Sequence, residues 1–299
     1  PRTGQLFTQK KIWELMALRH EAEFKNDRHE IFYLAFYDSE YSGADPISDL
    51  IISGAGFQLD WDGKNENMHD PIMPSACTIP IISDDANSEA FVDAIFGGTE
   101  GQFRVAIYKG PELTRKLFWS GVIFCDLTIR DEMPSAVNLE ATDDLGLLSE
   151  ILYKQTESAE YSDTTHLIDV FCRILSKCRH LDAWGSTQNF LLVSDSVQHA
   201  DMSGPPYTRK IIINHKKLRN DDGAGTSAKP QFHTCREVLV NMLQNLGARL
   251  FQADGFFWIV PMTKMATGGI DAYSYYKDGS NGNLTDRPSY VGAYSGSGN

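Results

Sequence analysis

Apolar and polar residues alternate with a period of two through much of the first half of this chain. Phe103, Val105 and Ile107 alternate with Arg104 and Ala106, which predicts a strand with one buried face. Lys109-Gly110-Pro111 then turns the chain, and residues 116–130 predict a returning strand. Gly121 at its middle reads as a bulge or sharp bend, a device for curling a strand at a barrel corner. Residues 135–142 alternate again through Val137, Leu139 and Ala141. At Asp143 the period lengthens. Leu145, Leu148 and Leu152 predict a helix, and residues 163–178 a second one. In the latter, Leu167, Phe171, Ile174 and Leu175 share a face, and Asp163 or Thr164 serves as cap. Thr234 and Glu237 have capping-box spacing at the head of a third helix. Its apolar face is Val238, Leu239, Met242, Leu243 and Leu246, and Gly247 stops it. Directly behind lies "LGARLFQADGFFWIVPM", Leu246 to Met262, a hairpin around Ala253-Asp254-Gly255. Alternation places Leu250, Phe257 and Ile259 under the helix and turns Trp258 the other way.

Elsewhere the pattern is shorter. Residues 8–25 read as a helix with Ile12, Leu15, Met16 and Leu18 on its apolar face, and Glu30 to Asp38 as a strand. Residues 50–63 read as one or two strands around Gly54-Ala55-Gly56. Pro71, Pro74 and Pro80 leave only an edge strand over Ala76 to Ile82. Residues 87–98 form a short helix that Ser88 can cap and Gly97 ends. Residues 189–195 are a short buried strand. Arg209 to Arg219 is a strand with a solvated basic face. Residues 42–49, 194–208 and 221–234 are loops, and the Gly/Ser/Tyr-rich stretch after Pro261 is a loop or extended arm. The expected organisation is an N-terminal helix or arm at 1–29, a β-rich domain at 30–142, an α+β domain at 143–262, and the arm or linker at 263–299.

The chain has 299 residues, 42% of them hydrophobic and 22% charged, as in an ordinary globular protein with room for two or three domains. No run of about 18 apolar residues occurs, so no membrane span is expected. No signal peptide is read at the start. The net charge of −13 argues against a duplex-gripping surface but suits nucleic acid passing without adhesion. Five scattered cysteines, Cys77, Cys125, Cys172, Cys178 and Cys235, form no disulfide framework. Cys172, Cys178 and His180 lack the second pair a zinc finger needs. They read as buried free thiols. The polar run at Asp60, Asp62, Asn65, Glu66 and Asn67 misses the spacing of a calcium loop. Asp143-Asp144 and Asp221-Asp222 are adjacent pairs, which on a helix point apart. No nucleophile elbow, phosphate loop or dinucleotide fingerprint is present. The reading is therefore no enzyme, no cofactor and no metal. Trp61, Trp119, Trp184 and Trp258 read as core or interface anchors.

The order of motifs resembles phage tail and baseplate hub proteins. "FRVAIYKG", "KLFWSGVIFCDLTI" and "SAVNLEATDDLGLLSEILY" look like their first barrel, with a Trp-x-Gly strand and an Ala-x-Asp-x-Leu turn into helix. "CREVLVNMLQNLGARLFQADGFFWIVPM" is similar to the helix–hairpin unit that follows it. The likeness spans about residues 50–262 and rests on turns and apolar spacing. It implies a tail-tube-like β-barrel domain followed by a smaller α+β domain with helix–hairpin units. It also implies a homotrimeric ring in the virion, at the tail tip or baseplate and assembled in host cytoplasm. Such a ring joins the tail tube or distal tail protein to a spike, tip or fibre protein, and the tape-measure protein and DNA pass through its lumen. Trp119, Trp258, Tyr275 and Tyr276 are the candidate subunit or domain contacts, and Trp258→Ala is expected to weaken assembly more than folding. Hubs of this kind usually carry a second barrel, so either the barrels are arranged differently or the chain continues past Asn299. The competing readings are a tail-associated cell-wall hydrolase and a carbohydrate-binding tail or fibre module. For the latter, "AYSYYKDG" (Ala272 to Gly279) is the candidate surface.

Overall fold

A computed structural model describes residues 16–43, 46–54, 56–61, 70–125, 136–155, 161, 164–178, 189–194, 211–220, 231–263 and 272–276. The chain divides into two compact units. One comprises residues 1–60 and 75–143, the other 61–74 and 144–299. The chain passes from the first unit to the second for the last time at Asp143–Asp144. The excursion through 61–74 is not signalled by the sequence pattern.

The first unit is a nearly closed, barrel-like sheet. Its strands are β1 (Ala17–Lys25), β2 (Ile31–Asp38), β3 (Ser48–Asp49), β4 (Ile51–Ile52) and β5 (Gln58–Trp61). After β6 (Ile72–Met73), which belongs to the second unit, come β7 (Ser75–Ile82), β8 (Phe103–Lys109), β9 (Lys116–Ile123) and β10 (Ala136–Thr142). The order around the sheet is β3-β1-β2-β8-β9-β10-β7-β4, with β5 also on β7. The ends meet because β3 and β4 are one short stretch of chain split at Leu50. β3 runs parallel to β1, and β4 runs antiparallel to β7. The Leu50 N–H donates to Glu21 O at 2.7 Å, and the Leu50 side chain is buried. Five residues thus satisfy two sheet edges that would otherwise be open.

Three sequence readings change here. The helix expected over 8–25 is a strand in its described part; residues 1–15 lie outside the described residues. "ALRHEAEFK" has fair helix propensity, but it pairs with β2 residue for residue from His20 to Lys25. His20 and Ala22 are buried on one face, and Phe24 packs against the same core. Tertiary pairing overrides a weak local preference. The connecting turn is fixed by Asn26, whose side-chain oxygen accepts from the N–H of Arg28 and of Glu30. Next, β7 is not an edge strand, since it pairs with β10 on one side and with β4 and β5 on the other. Pro80 is accommodated because the β4 ladder stops beside it, where Ser53 N donates to Pro80 O. Finally, the bulge in β9 falls at Phe118 rather than Gly121, between the pairs Tyr108↔Leu117 and Ile107↔Trp119.

Gly121 has a different duty. A Cβ there would lie 2.3 Å from the far edge of the Trp119 ring and 2.4 Å from Thr142 O on β10. The Trp-x-Gly pair is therefore a single packing device, with the indole folded over the gap that glycine leaves. Helix α1 (Ala86–Gly97) adds Phe91, Val92 and Ile95 to the same core. Its cap is Asp85, with Ser88 answering at the third helical position, so Ser88 closes the capping box rather than opening the helix.

The second unit has a five-stranded sheet. It contains β6, β12 (Asn189–Ser194), β16 (Ala248–Ala253), β17 (Phe256–Pro261) and β18 (Ala272–Tyr276), in the order β18-β12-β17-β16-β6. Two short ladders complete it: β11 (Thr164–His166) with β13 (Ile212–Asn214), and β14 (Arg219–Asn220) with β15 (Gln231–Phe232). Its described helices are α2 (Leu167–Leu175) and α3 (Cys235–Leu246). The helix read over 143–154 is only a 3₁₀ turn, Gly146–Ser149, although Leu145 and Leu148 are buried as expected. Helix α2 starts later than residue 163, and Asp169 reaches back to His166 N and Thr165 Oγ1. The arm after Pro261 contains a strand, β18, antiparallel to β12. The α3 unit matches its reading closely. Thr234 and Glu237 form the capping box and Gly247 is left-handed at φ 58°. The Asp254-Gly255 turn has φ 50° and 77°, as a two-residue hairpin requires.

Gly121→Ala is expected to cost the barrel unit about 3 kcal/mol, since the close neighbours are an indole wedged in the core and a backbone carbonyl. Urea unfolding followed by tryptophan fluorescence measures it. A loss within about 0.5 kcal/mol, the range of an ordinary surface change, would mean that strand and ring yield.

Candidate functional site

Two buried polar constellations stand out, one in each unit. In the first, β7 begins and β10 ends at a knot of hydrogen bonds. Asp143 Oδ2 accepts from Ser75 N at 2.8 Å and from Ser75 Oγ at 2.7 Å. Trp119 Nε1 donates to Ser75 Oγ at 2.9 Å. The Asp143 N–H returns a bond to Ser75 O, and Thr142 Oγ1 also reaches that carbonyl. All three side chains are buried, Asp143 completely. Donor and acceptor roles are fixed: the indole only donates, the hydroxyl accepts it and donates on, and the carboxylate only accepts. This is a chain of charge-assisted bonds with its termini satisfied. It ties together the residues through which the chain enters the unit at 75 and leaves it at 143.

In the second unit, His215 is buried against two tyrosine rings whose own centroids are 5.0 Å apart. Its ring centroid lies 5.7 Å from that of Tyr153 and 5.1 Å from that of Tyr161, at interplanar angles of 28° and 29°. His215 Nδ1 is 3.0 Å from Tyr153 Oη, and Nε2 is 2.9 Å from an Arg173 guanidinium nitrogen. The same guanidinium lies 4.9 Å over the Tyr161 ring. His215 opens a 3₁₀ turn, His215–Leu218, directly after β13, and Arg173 comes from α2. The cluster therefore fastens one short segment to one helix.

A third, more exposed arrangement lies on the barrel's outer surface. Arg115 sits 5.2 Å from the Tyr33 ring and 5.3 Å from the Tyr108 ring, which are cross-strand neighbours on β2 and β8. Lys109 pairs with Glu30 at 2.7 Å, and this pairing holds the Glu30 carboxyl below its ordinary range. At the α3 cap, the Glu237 carboxyl is likewise lowered, first by the Thr234 N–H. That part of the cap's contribution is fully present above the ordinary carboxylate range and is lost as pH falls below it through the lowered folded-state value.

The residues singled out from sequence are placed as follows. Trp119 is 1% exposed and lies in the barrel core. Trp258 does face away from Leu250, Phe257 and Ile259, which pack with α3 residues. It is nevertheless only 5% exposed, in a small cluster with Phe251, Phe256 and Val260, and its Nε1 donates to Ala253 O at 3.0 Å. Tyr275 and Tyr276 stand at the β18 register positions opposite Leu191 and Asn189. Trp61 is also placed, donating to Gln252 O; Trp184, His180, Asp221 and Asp222 lie outside the described residues, as does most of the polar run after Asp60. The five cysteines are free thiols, four of them buried. Burial raises the Cys77 thiol well above its ordinary range and pushes Cys235 up to about 12, so neither is a ready nucleophile. Among the described residues no group of three His, Cys, Asp or Glu is placed to hold a metal ion, and no helix is long and apolar enough to cross a membrane. The sequence pattern reads Asp143 as half of an adjacent carboxylate pair and His215 as part of a strand with a solvated basic face.

No protein-family model matches the chain, and no curated protein shows significant sequence similarity to it.

Two outcomes are expected. Asp143→Ala leaves the Ser75 N–H and hydroxyl without their buried acceptor and should destabilise the barrel by about 3 kcal/mol, with Asp143→Asn losing less. Urea titration of the two variants against the parent reads the difference; equal, small losses would show that water replaces the carboxylate. Trp258→Ala removes a buried ring, so its main effect should be on folding, about 3 kcal/mol or more. Thermal unfolding with an unchanged midpoint would restore the earlier expectation of an assembly contact.

Proposed function

We propose that this chain is a structural component of a phage or phage-like tail tip or baseplate, forming a trimeric hub ring that joins the tail tube to the tip. The observation that carries the reading is the pairing of two architectures in one chain. A barrel is built around a Trp-x-Gly strand, and its last strand runs through Asp143 into a unit whose capped helix feeds a tight hairpin. These are the motifs on which the resemblance to tail hubs rests. The polar investment of the fold supports a scaffold. The Ser75–Trp119–Asp143 and Arg173–His215 contacts tie strand ends and helices together. Catalytic groups, by contrast, are turned toward a cleft where substrate can reach them.

The charge fits the same role. Three copies of a chain at −13 make a ring whose field repels phosphate, so DNA crosses the lumen without adhering. The partners of such a ring are the tail tube or distal tail protein on one side, the spike, tip or fibre protein on the other, and the tape-measure protein within.

Mass photometry of the purified chain, alone and mixed with tail-tube and tip proteins, tests the proposal. The expected species is a threefold multiple of the 33.4 kDa chain, and it should add tube-side partners. A monomer that stays monomeric with every tail protein overturns the hub. Cell-wall clearing by the purified chain, abolished by a single Glu or His substitution, would put the hydrolase in its place.

A further inference from the structure

The turn between β8 and β9 holds a leucine out in water. Leu113 lies on the 3₁₀ turn Glu112–Thr114 and is 97% exposed. A lone exposed leucine is ordinary on a surface. This one sits on a turn that is braced on both sides. Before it, Gly110 takes φ 110° and the Thr114 N–H donates to Pro111 O at 2.9 Å. After it, the Arg115 guanidinium lies 5.2 Å from the Tyr33 ring and 5.3 Å from the Tyr108 ring. Lys116 is exposed beside Arg115. Lys109 is neutralised by Glu30, and Glu23 is engaged with the Tyr33 hydroxyl. Neither Arg115 nor Lys116 is in an ion pair among the described residues. Glu112 is the one acid on the turn, so its balance stays positive on a chain whose net charge is −13. The turn presents an apolar side chain and unpaired cations in a shape that needs little ordering on contact.

The complement stands at the other end of the same strand. β8 runs seven residues from Phe103 to the turn, a rise of about 20 Å. Ile82, which precedes α1, and Phe103, which follows it, both lie at the end of the sheet away from the turn. Helix α1 therefore belongs to that end, and the turn of one copy meets α1 of another rather than its own. From Asp84 to Gln102 the chain has no lysine or arginine. On α1, Glu89, Asp93 and Phe96 follow helical spacing along one stripe, turned away from Phe91, Val92 and Ile95 in the core. Phe96 is 40% exposed. Ala86, Ala90 and Gly97 beside the stripe are exposed and small, which leaves a low surface for a projecting side chain. Glu89 and Glu100 are in no ion pair among the described residues.

We propose that copies of this chain associate head to tail, with the β8–β9 turn of one copy docked on the outward face of α1 in the next. Leu113 packs on Phe96, and Arg115 and Lys116 are set toward Glu89 and Glu100. Charge selects the occupant: an apolar tip beside unpaired cations fits an apolar spot beside unpaired acids, and this chain carries both. Turn and helix are different surfaces, so the contact is heterologous. Each copy keeps one unused surface of each kind, and the series closes into a ring where the rotation allows. This contact deepens the hub reading and rests on it only for the self-association. One turn covers less than the roughly 1,600 Å² of a standard interface. Association of the free chain is therefore concentration-dependent, and salt weakens it because the charges are exposed.

Sedimentation velocity of the full chain over a range of concentrations, at low and high salt, tests the contact with two variants. Leu113→Asp blocks the turn at a fully exposed position. Glu89→Lys combined with Glu100→Lys blocks the helix face by repelling the turn. Melting midpoints within about 2 °C of the parent's confirm that both fold, and Lys116→Glu and Phe96→Ala serve as second turn and face variants. The parent is expected to self-associate, and each variant alone to do so at least about tenfold more weakly. Mixed in equal amounts, the two variants bring one intact helix face to one intact turn. A species of twice the 33.4 kDa chain then forms, and growth stops there. A mixture that stays monomeric overturns the contact. So does a parent whose association neither variant changes, an outcome that leaves a hub assembled through other surfaces standing. A parent that is monomeric at every concentration also overturns it, and the mixtures with tail proteins then decide the hub reading separately.

Discussion

The fold of the first unit hangs on one close approach, the Trp119 ring lying over Gly121 against the carbonyl of Thr142. A strand that pairs on both sides leaves no room for a side chain at that point, and a barrel of this size needs a large residue to fill its centre. Both requirements are met by a tryptophan two positions from a glycine on the same face. The consequences spread from there. The indole N–H, carried into the interior, must find an acceptor, and Ser75 supplies it. The Ser75 hydroxyl, used as an acceptor, passes its own proton to Asp143. A buried carboxylate is tolerable only with donors around it, and the backbone N–H of Ser75 is one of them. A packing solution in β9 thus dictates polar residues at the start of β7 and just past the end of β10, far apart in sequence.

The same logic explains how much of the fold was legible. Period-two alternation in β2, β8 and β10 and the capped helix with its hairpin were readable because local pattern, cap chemistry and turn residues agree there. Thr234, Glu237, Gly247 and Asp254-Gly255 all state the same geometry. The strand β1 was misread because "ALRHEAEFK" carries no strong local preference. Its conformation is decided by β2 and by the five-residue closure at Ser48–Ile52, neither of which periodicity can see. Gly121 was recognised as special but given the wrong reason, since a bulge and a ring contact leave the same mark in a sequence. The excursion through Ile72–Met73, two residues added to the edge of the second unit's sheet beside β16, has no sequence signature at all. Two-residue strands are defined by their partners.

Polar residues in cores were the larger omission. Asp143 reads as half of an acidic pair and His215 as part of a strand with a solvated basic face because their neighbours in sequence are polar or basic, and average burial statistics favour that choice. What places them inside is a partner set spread over the chain: Ser75 and Trp119 for the one, Tyr153, Tyr161 and Arg173 for the other. Such sets cannot be inferred from spacing. They become visible only when each donor and acceptor is followed to its end.

The two knots also differ in the pairing that surrounds them. The Ser75–Asp143 knot joins strands that are themselves paired over seven residues, from Ala136↔Ile82 to Thr142↔Ala76. Its loss therefore weakens a ladder that remains continuous. The His215 knot instead stands beside a three-residue ladder and a single 3₁₀ turn, so its contacts add to a much shorter run of backbone pairing.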